Sequence, residues 1–389
     1  MLYKLKDIFD LQMGKTPSRN NIEYWNTNDY KWVSIADLTK TDKYIYDTKE
    51  YLSKKAVNES GIKIIPANTV IMSFKLSIGK TAITAEDMYS NEAIMAFHDK
   101  HIVEILPEYI FYLFKYKNWD DGSNKAVMGK TLNKATLSEV EIDICSIEEQ
   151  RKIVNVLDKI MNLISARKKE LSYLDTFTKA RFVEMFGDPV INPKNLPVVT
   201  LGELSELITK GASPSWQGFS YTDDGSQTLF VTSENIREGY IDLSSPKYIE
   251  DGFNEKQSRS VIRKGDFLIN IVGASIGRAA QFNLDCKANM NQAAALVRVK
   301  DNRIKSKYLL IYLNSDRAKR MYDSMKSDTG RANLSLQDIS DLKILLPAVD
   351  KQIEFENFVA QVDKSKSAVK KALDETQLLF DSLMQEYFG

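Results

Sequence analysis

The chain has 389 residues, 43% hydrophobic and 27% charged, and its 53 basic residues are balanced by 53 acidic ones. That length exceeds one ordinary core and predicts two or more domains, the composition excludes a disordered chain, and no run of 18 apolar residues is present to span a membrane. Two cysteines without CxxC spacing, Cys145 and Cys286, argue against a disulfide scaffold or a structural zinc site; with a start, MLYKLKDIFD, that lacks a secretion signal, they predict a reducing cytoplasm.

In chain order, residues 1–145 mix short β-branched runs with Gly and Asn turns, and TVIMSF (69–74) and AIMAF (93–97) read as strands. EYIFYLFKY (108–116) reads as a short buried helix, and a strand over 140–144 closes the domain. A long helix follows over 146–186, opened by the capping-box pattern Ser146-Ile147-Glu148-Glu149. Apolar positions then recur in alternating steps of four and three: Ile153, Leu157, Ile160, Ile164, Arg167, Leu171, Leu174, Thr178, Arg181 and Met185. Such a stripe is the seam of a coiled coil, with Arg and Thr as its polar interruptions. Residues 187–198, with Gly187 and three prolines, stop the helix and act as linker.

The remainder repeats this plan. FLINIV (267–272) and AAALVRV (293–299) read as strands of a second domain over 199–346, closed by a strand over 342–346. A final helix over 347–389 carries the seam Phe355, Val359, Val362, Lys366, Val369, Leu373, Thr376, Phe380, Leu383 and Tyr387. Six blocks match in order, among them KLKDIFDLQMGKTPS (4–18) with TLGELSELITKGASPS (200–215), and SIGKTA (77–82) with SIGRAA (275–280). One module of about 190 residues is therefore present twice.

The repeat also disposes of a nucleotide site. Gly-Lys-Thr occurs at 14–16, 79–81 and 129–131, but the position where a Walker A loop needs its first glycine holds Phe9, Phe74 or Asn124. No Pro-Pro pair for an amino-methyltransferase loop and no GxGxxG are present, and the only histidines, His98 and His101, read as a surface turn rather than metal ligands. The chain is expected to be non-catalytic.

Candidate binding residues come from the repeated glycine loops: Lys15, Thr16, Ser18, Arg19, Lys80 and Lys130 in the first copy, and Lys210, Ser213, Ser215, Trp216, Arg278 and Arg331 in the second. Lys and backbone amides suit phosphates, and Arg or Asn suits base edges. Gly79 and Gly277 read as tight strand turns, and Asn91-Glu92 and Asn291-Gln292 as turn and strand-end residues. Off the seam, Val156, Leu163, Phe177, Phe182 and Phe186 add apolar surface and are candidates for docking other subunits.

The duplicated domain-plus-helix plan, the domain endings LSEVEIDICSIEEQRKI (137–153) and ISDLKILLPAVDKQIEF (339–355), and the junction RFVEMFGDP (181–189) with NPKNLP (192–197) together resemble the specificity subunits of Type I restriction-modification enzymes. The resemblance covers the whole chain. It implies an α/β fold of two tandem target recognition domains joined by two long antiparallel coiled-coil helices, pseudo-twofold. It implies that each domain reads one half of a bipartite double-stranded DNA sequence, and that the helices space the domains and dock two methyltransferase subunits, joined by motor-nuclease subunits. Adenine methylation and ATP-dependent cleavage, with S-adenosylmethionine, ATP and magnesium, belong to those partners and no cofactor to this chain. The family's proline-rich turn and Glu-Gln at the helix start become Cys145-Ser146 with Glu149-Gln150 in one copy and Pro347 with Lys351-Gln352 in the other, so unequal helix starts are expected. A stand-alone two-module DNA-binding regulator would have to hold DNA at zero net charge, and a protein-only coiled-coil adaptor would not need the basic loops.

Overall fold

The computed structural model describes residues 1–25, 27–75, 77–119, 132–188, 191–325 and 333–389. The chain parts into two compact units, Met1–Lys168 with Lys371–Gly389, and Lys169–Lys370. Each unit holds one α/β module together with half of each long helix, Ile147–Phe186 and Val349–Phe388. Among the described residues no helix is long and apolar enough to cross a membrane.

The first module has strands β1 (Leu2–Lys4), β2 (Phe9–Met13), β3 (Tyr30–Val33), β4 (Tyr44–Ile45), β5 (Glu50–Leu52), β6 (Val70–Ser73), β7 (Thr81–Thr84), β8 (Tyr89–Ser90), β9 (Ile94–Asp99) and β10 (Glu141–Asp143). They form sheets in the orders β2-β9-β6-β7-β4, β5-β3-β8 and β1-β10. β6 and β7 are buried on both faces, which is why TVIMSF and TAIT lack the alternation of a half-exposed strand. Helix Pro107–Tyr116 packs on this pair and buries every residue from Tyr109 to Phe114.

The second module has β11 (Val198–Thr200), β12 (Ser205–Lys210), β13 (Tyr221–Thr222), β14 (Thr228–Val231), β15 (Tyr248–Ile249), β16 (Phe267–Asn270), β17 (Ala279–Gln281), β18 (Ala288–Met290), β19 (Ala294–Val299) and β20 (Lys343–Leu345). Its sheets are β12-β19-β16-β17, β13-β15-β14-β18 and β11-β20, with helix Ser306–Leu313 in the place of Pro107–Tyr116. The two closing strands are as expected: β10 pairs antiparallel with β1, and β20 with β11.

The helical seam is also where the four-three spacing puts it. Ile153, Leu157, Ile160 and Ile164 are buried in the first unit with Phe380, and Phe355, Val359 and Val362 are buried in the second; near the end of the second helix the fully buried side chain is Met384, one residue beyond the expected Leu383, which is half-buried. The pairing is antiparallel: in the second unit Asp175 meets Lys366 at 2.5 Å, Phe177 meets Phe358 at 5.1 Å between ring centroids, and Arg181 meets Glu354 at 3.2 Å. In the first unit Arg167 donates to the Ala372 carbonyl, which makes a polar seam position a cross-helix hydrogen bond.

Both helix starts use one device. The side chain of Gln150, fully buried, accepts from Leu106 N at 2.9 Å and donates to Glu104 O at 2.9 Å and Cys145 O at 3.0 Å. Gln352, equally buried, accepts from Lys305 N at 2.8 Å and donates to Arg303 O and Pro347 O, each at 2.8 Å. The helix starts differ in sequence before these glutamines, yet their attachment to the module is the same. Ser146 Oγ accepts from Glu149 N at 3.3 Å, while the Glu149 carboxylate pairs with Lys152. At the far end Gly187 takes φ +82°, a left-handed helix stop, and Lys194 caps the last turn by donating to Glu184 O and Met185 O at 2.8 Å.

Candidate nucleic-acid interface

Three segments converge in each module. In the first, the loop after β2 lies against the turn between β8 and β9: Gly14 N donates to Ile94 O and Lys15 N to Ser90 O. A Cβ on Gly14 would stand 2.2 Å from Asn91 O, so only glycine fits. The β6–β7 hairpin closes the third side, with Phe74 N donating to Ala93 O at 2.9 Å. The second module repeats the contact: a Cβ on Gly211 would be 1.9 Å from Met290 O, and Ile271 N donates to Ala293 O at 2.9 Å. Gly79 and Gly277 are indeed strand turns, at φ +87° and +85°, with the Trp119 and Tyr322 rings lying against them.

On this shared frame the two modules carry different side chains. Lys15 Nζ donates to Ser60 O at 2.5 Å, and the Thr16 hydroxyl donates to Glu92. Ser18 is exposed, and its carbonyl accepts from the Trp25 indole at 3.0 Å. Arg19 is held on three sides: its guanidinium lies 3.8 Å from the Trp25 ring centroid and 4.8 Å from that of Trp32, and it forms a two-pronged pair with Glu50 at 2.5 and 3.1 Å. Lys80 Nζ donates to Thr39 Oγ1 at 2.5 Å.

In the second module Lys210 and Ser215 are exposed, and Ser213 and Ser215 share a hydrogen bond of 3.2 Å between hydroxyls. Arg278 is half-buried and makes no ion pair among the described residues. Trp216 occupies the position of Arg19, after Pro214-Ser215 as Arg19 follows Pro17-Ser18. It stands on the one-turn helix Pro214–Gln217 and is 89% exposed, so it does not pack within its module. Lys130 and Arg331 lie outside the described residues.

The two histidines separate. His98 is on β9 beside Asp10, where burial lowers its pKa, while His101 sits exposed in a left-handed turn with its amide on Asp99. Among the described residues no group of three or more His, Cys, Asp or Glu side chains is placed to hold a metal ion.

The docking candidates divide. Leu163 and Phe177 are 50% and 54% exposed, and Val156 is half-buried against the first core. Phe182 and Phe186 do not belong to any free surface: they are 2% and 1% exposed. Phe182 stacks on Tyr308 at 5.4 Å, and Phe186 meets Tyr308 edge-on at 4.9 Å and Phe355 at 5.4 Å. These two off-seam side chains face the module instead of solvent, because this end of the first helix is part of the second module's core. The first unit repeats the arrangement with the end of the second helix, where Phe388 meets Tyr109 at 5.4 Å. The offset of the repeat, which aligns Phe186 with Phe388 and Tyr308 with Tyr109, was the available signal. The Trp25 and Trp32 cage around Arg19 had no such signal, since its members are joined only by folding.

Two stretches, residues 1–173 and 193–376, match the family model described as the Type I restriction modification DNA specificity domain. The chain is similar to the Type I restriction enzyme MjaIX specificity subunit of Methanocaldococcus jannaschii, 34% identical over 214 residues, which cover 54% of this chain and 48% of that protein. It is also similar to the EcoBI specificity subunit of Escherichia coli, 23% identical over 69% of this chain and 62% of that protein. The chain thus spans about half to three-fifths of the curated relatives it matches here. A solved chain from work on assembly and conformational transition of the type I R-M system shares the fold over the full length, with a TM-score of 0.62 at 18% identity, covering 97% of that chain. With both modules matched, the chain belongs to the Type I restriction modification DNA specificity domain family.

Proposed function

We propose that this chain is the DNA-specificity subunit of a Type I restriction-modification complex, a non-catalytic component in which each module reads one half of a bipartite target. One observation carries the reading: the same three-segment frame is built twice in one chain, with a glycine pressed against the backbone of the equivalent turn in each module but with different exposed side chains. A duplicated frame with divergent tips suits two different half-sites. The long helices set the distance between the modules, and their exposed Leu163, Tyr173 and Phe177 on the first and Leu378 and Leu379 on the second dock two methyltransferase subunits. S-adenosylmethionine, ATP and magnesium serve the methyltransferase and motor-nuclease partners in the cytoplasm.

Exchange of residues 1–145 for the homologous domain of another family member tests this. The assembled hybrid should methylate a target changed in one half only, as mapped by methylation sequencing. Simultaneous change in both halves would mean a composite site and overturn the reading.

Trp216 gives a second expected result. A protruding indole can wedge against or stack on a base, a contact worth about 1–3 kcal/mol. Trp216→Ala should therefore weaken DNA binding by the assembled complex roughly tenfold or more, while the salt dependence keeps its slope because no cation is lost. Titration by fluorescence anisotropy at two salt concentrations measures both; unchanged affinity would exclude Trp216 from the interface.

A further inference from the structure

At the centre of each frame lies a turn whose backbone is held from every side. Asn91 N donates to Val33 O at 3.0 Å, Asn91 Oδ1 accepts from Ala93 N at 3.0 Å, and Asn91 O accepts from Ile94 N at 3.2 Å. Asn291 does the same with Val231 O at 3.1 Å, Ala293 N at 3.1 Å and Ala294 N at 3.5 Å. The glycine loops and the hairpins described above close the remaining sides. The asparagines are thus turn residues, as their sequence context indicates. The residue that follows each of them is different in kind: Glu92 and Gln292 are exposed, on a turn tied down by these hydrogen bonds. A rigid scaffold with one outward side chain is the arrangement that positions a reading group.

The chemistry at the two tips is not the same. Glu92 can only accept hydrogen bonds, whereas Gln292 both donates and accepts. Glu92 is ionised: burial works against this, but the Thr16 hydroxyl, its own backbone amide, Lys75 and Arg19 outweigh burial and hold its carboxyl below the usual range. An ionised carboxylate facing DNA is repelled by phosphates and is useful only where a base offers a donor. In the major groove cytosine N4 is such a donor, while the N6/N7 edge of adenine matches a glutamine amide.

We propose that Glu92 and Gln292 are equivalent base-reading residues of the two modules, Glu92 accepting from a cytosine amino group in one half-site and Gln292 pairing two-pronged with an adenine in the other. The inference rests on the half-site reading above and names the position at which the two readings diverge.

The test uses the reciprocal variants Glu92→Gln and Gln292→Glu in the complete complex with its methyltransferase subunits. Both are near-isosteric and exposed, and thermal melting of each variant checks the fold. Methylation is scored on a duplex library carrying all four bases at every half-site position. Glu92→Gln should move the preference at one base pair of one half from cytosine toward adenine by roughly tenfold to a hundredfold, leaving the other half untouched. Gln292→Glu should make the converse change in the other half. Unchanged preference in both active variants overturns the assignment. A uniform loss across the library in a folded variant also overturns it, since it marks a phosphate-facing or structural role. If exchange of residues 1–145 changes one half-site while Glu92→Gln does not, this assignment fails and the half-site reading stands. If the exchange leaves the target unchanged, the half-site reading itself fails.

Discussion

Gln150→Leu and Gln352→Leu should each destabilise the unit that contains them by several kcal/mol. Each amide makes three hydrogen bonds to main-chain groups of its module, and each is fully buried. Leucine keeps the volume but leaves two carbonyls and one amide without partners. A buried polar group left unpaired costs about 1–3 kcal/mol, so partial relief by water still leaves a loss of roughly 3–5 kcal/mol. The chain has two units and does not have to unfold in one step, so a single midpoint is the wrong observable. Hydrogen exchange resolved by segment is suitable: Gln150→Leu should lower protection around 104–116 and 141–153, and Gln352→Leu around 303–313 and 343–355. A loss below about 1 kcal/mol in either unit would show that the glutamines are incidental to the join between helix and module. Glutamate at the same positions should be worse than leucine at neutral pH, because it adds a buried charge facing two carbonyl oxygens.

Insertion of four helix-forming residues into both long helices, after Lys168 and after Lys370, should lengthen the preferred spacer between half-sites by about one or two base pairs. In sequence the sites fall next to the Arg167–Ala372 hydrogen bond of the first unit and the Asp175–Lys366 ion pair of the second, and interrupt neither. Four residues add about 6 Å at 1.5 Å each, against about 3.4 Å per base pair of duplex. They overshoot a full turn by roughly 40° at 3.6 residues per turn, about one base pair's worth of twist, so translation and rotation act together. The insertion belongs here and not nearer the end of the first helix, because an insertion beyond Phe182 would split the Phe182–Phe186 pair buried in the second module. Methylation of a library with varied spacers measures the result. The half-site bases should stay the same, since no tip residue is altered. An active variant with its original spacer preference would show that residues 187–198, and not the helices, set the distance.

Where sequence and fold meet, the division follows the range of the interactions. The strands β6, β9, β16 and β19, the two long helices and their seam were legible because they rest on local periodicity: runs of buried β-branched and apolar residues, and a four-three stripe from Ile153 to Met185 and from Phe355 to Tyr387. The turns at Gly79 and Gly277 were legible because the conformation they need is a property of the residue itself. The repeat was legible because it compares the chain with itself. What the tertiary structure alone decided is partnership over long separations. Phe182 and Phe186 carry apolar side chains whatever surrounds them, and only the return of the chain through Tyr308 and Phe355 puts them in a core instead of on a docking face. Gln150 and Gln352 are visible in the sequence only as part of the helix-start pattern and become anchors only when the carbonyls of residues 104 and 303 are brought to them. Arg19 and Trp216 occupy one position of the repeat, yet the first is caged by Trp25, Trp32 and Glu50 and the second stands in solvent, because aromatic and ionic contacts depend on which side chains the fold delivers within a few ångströms.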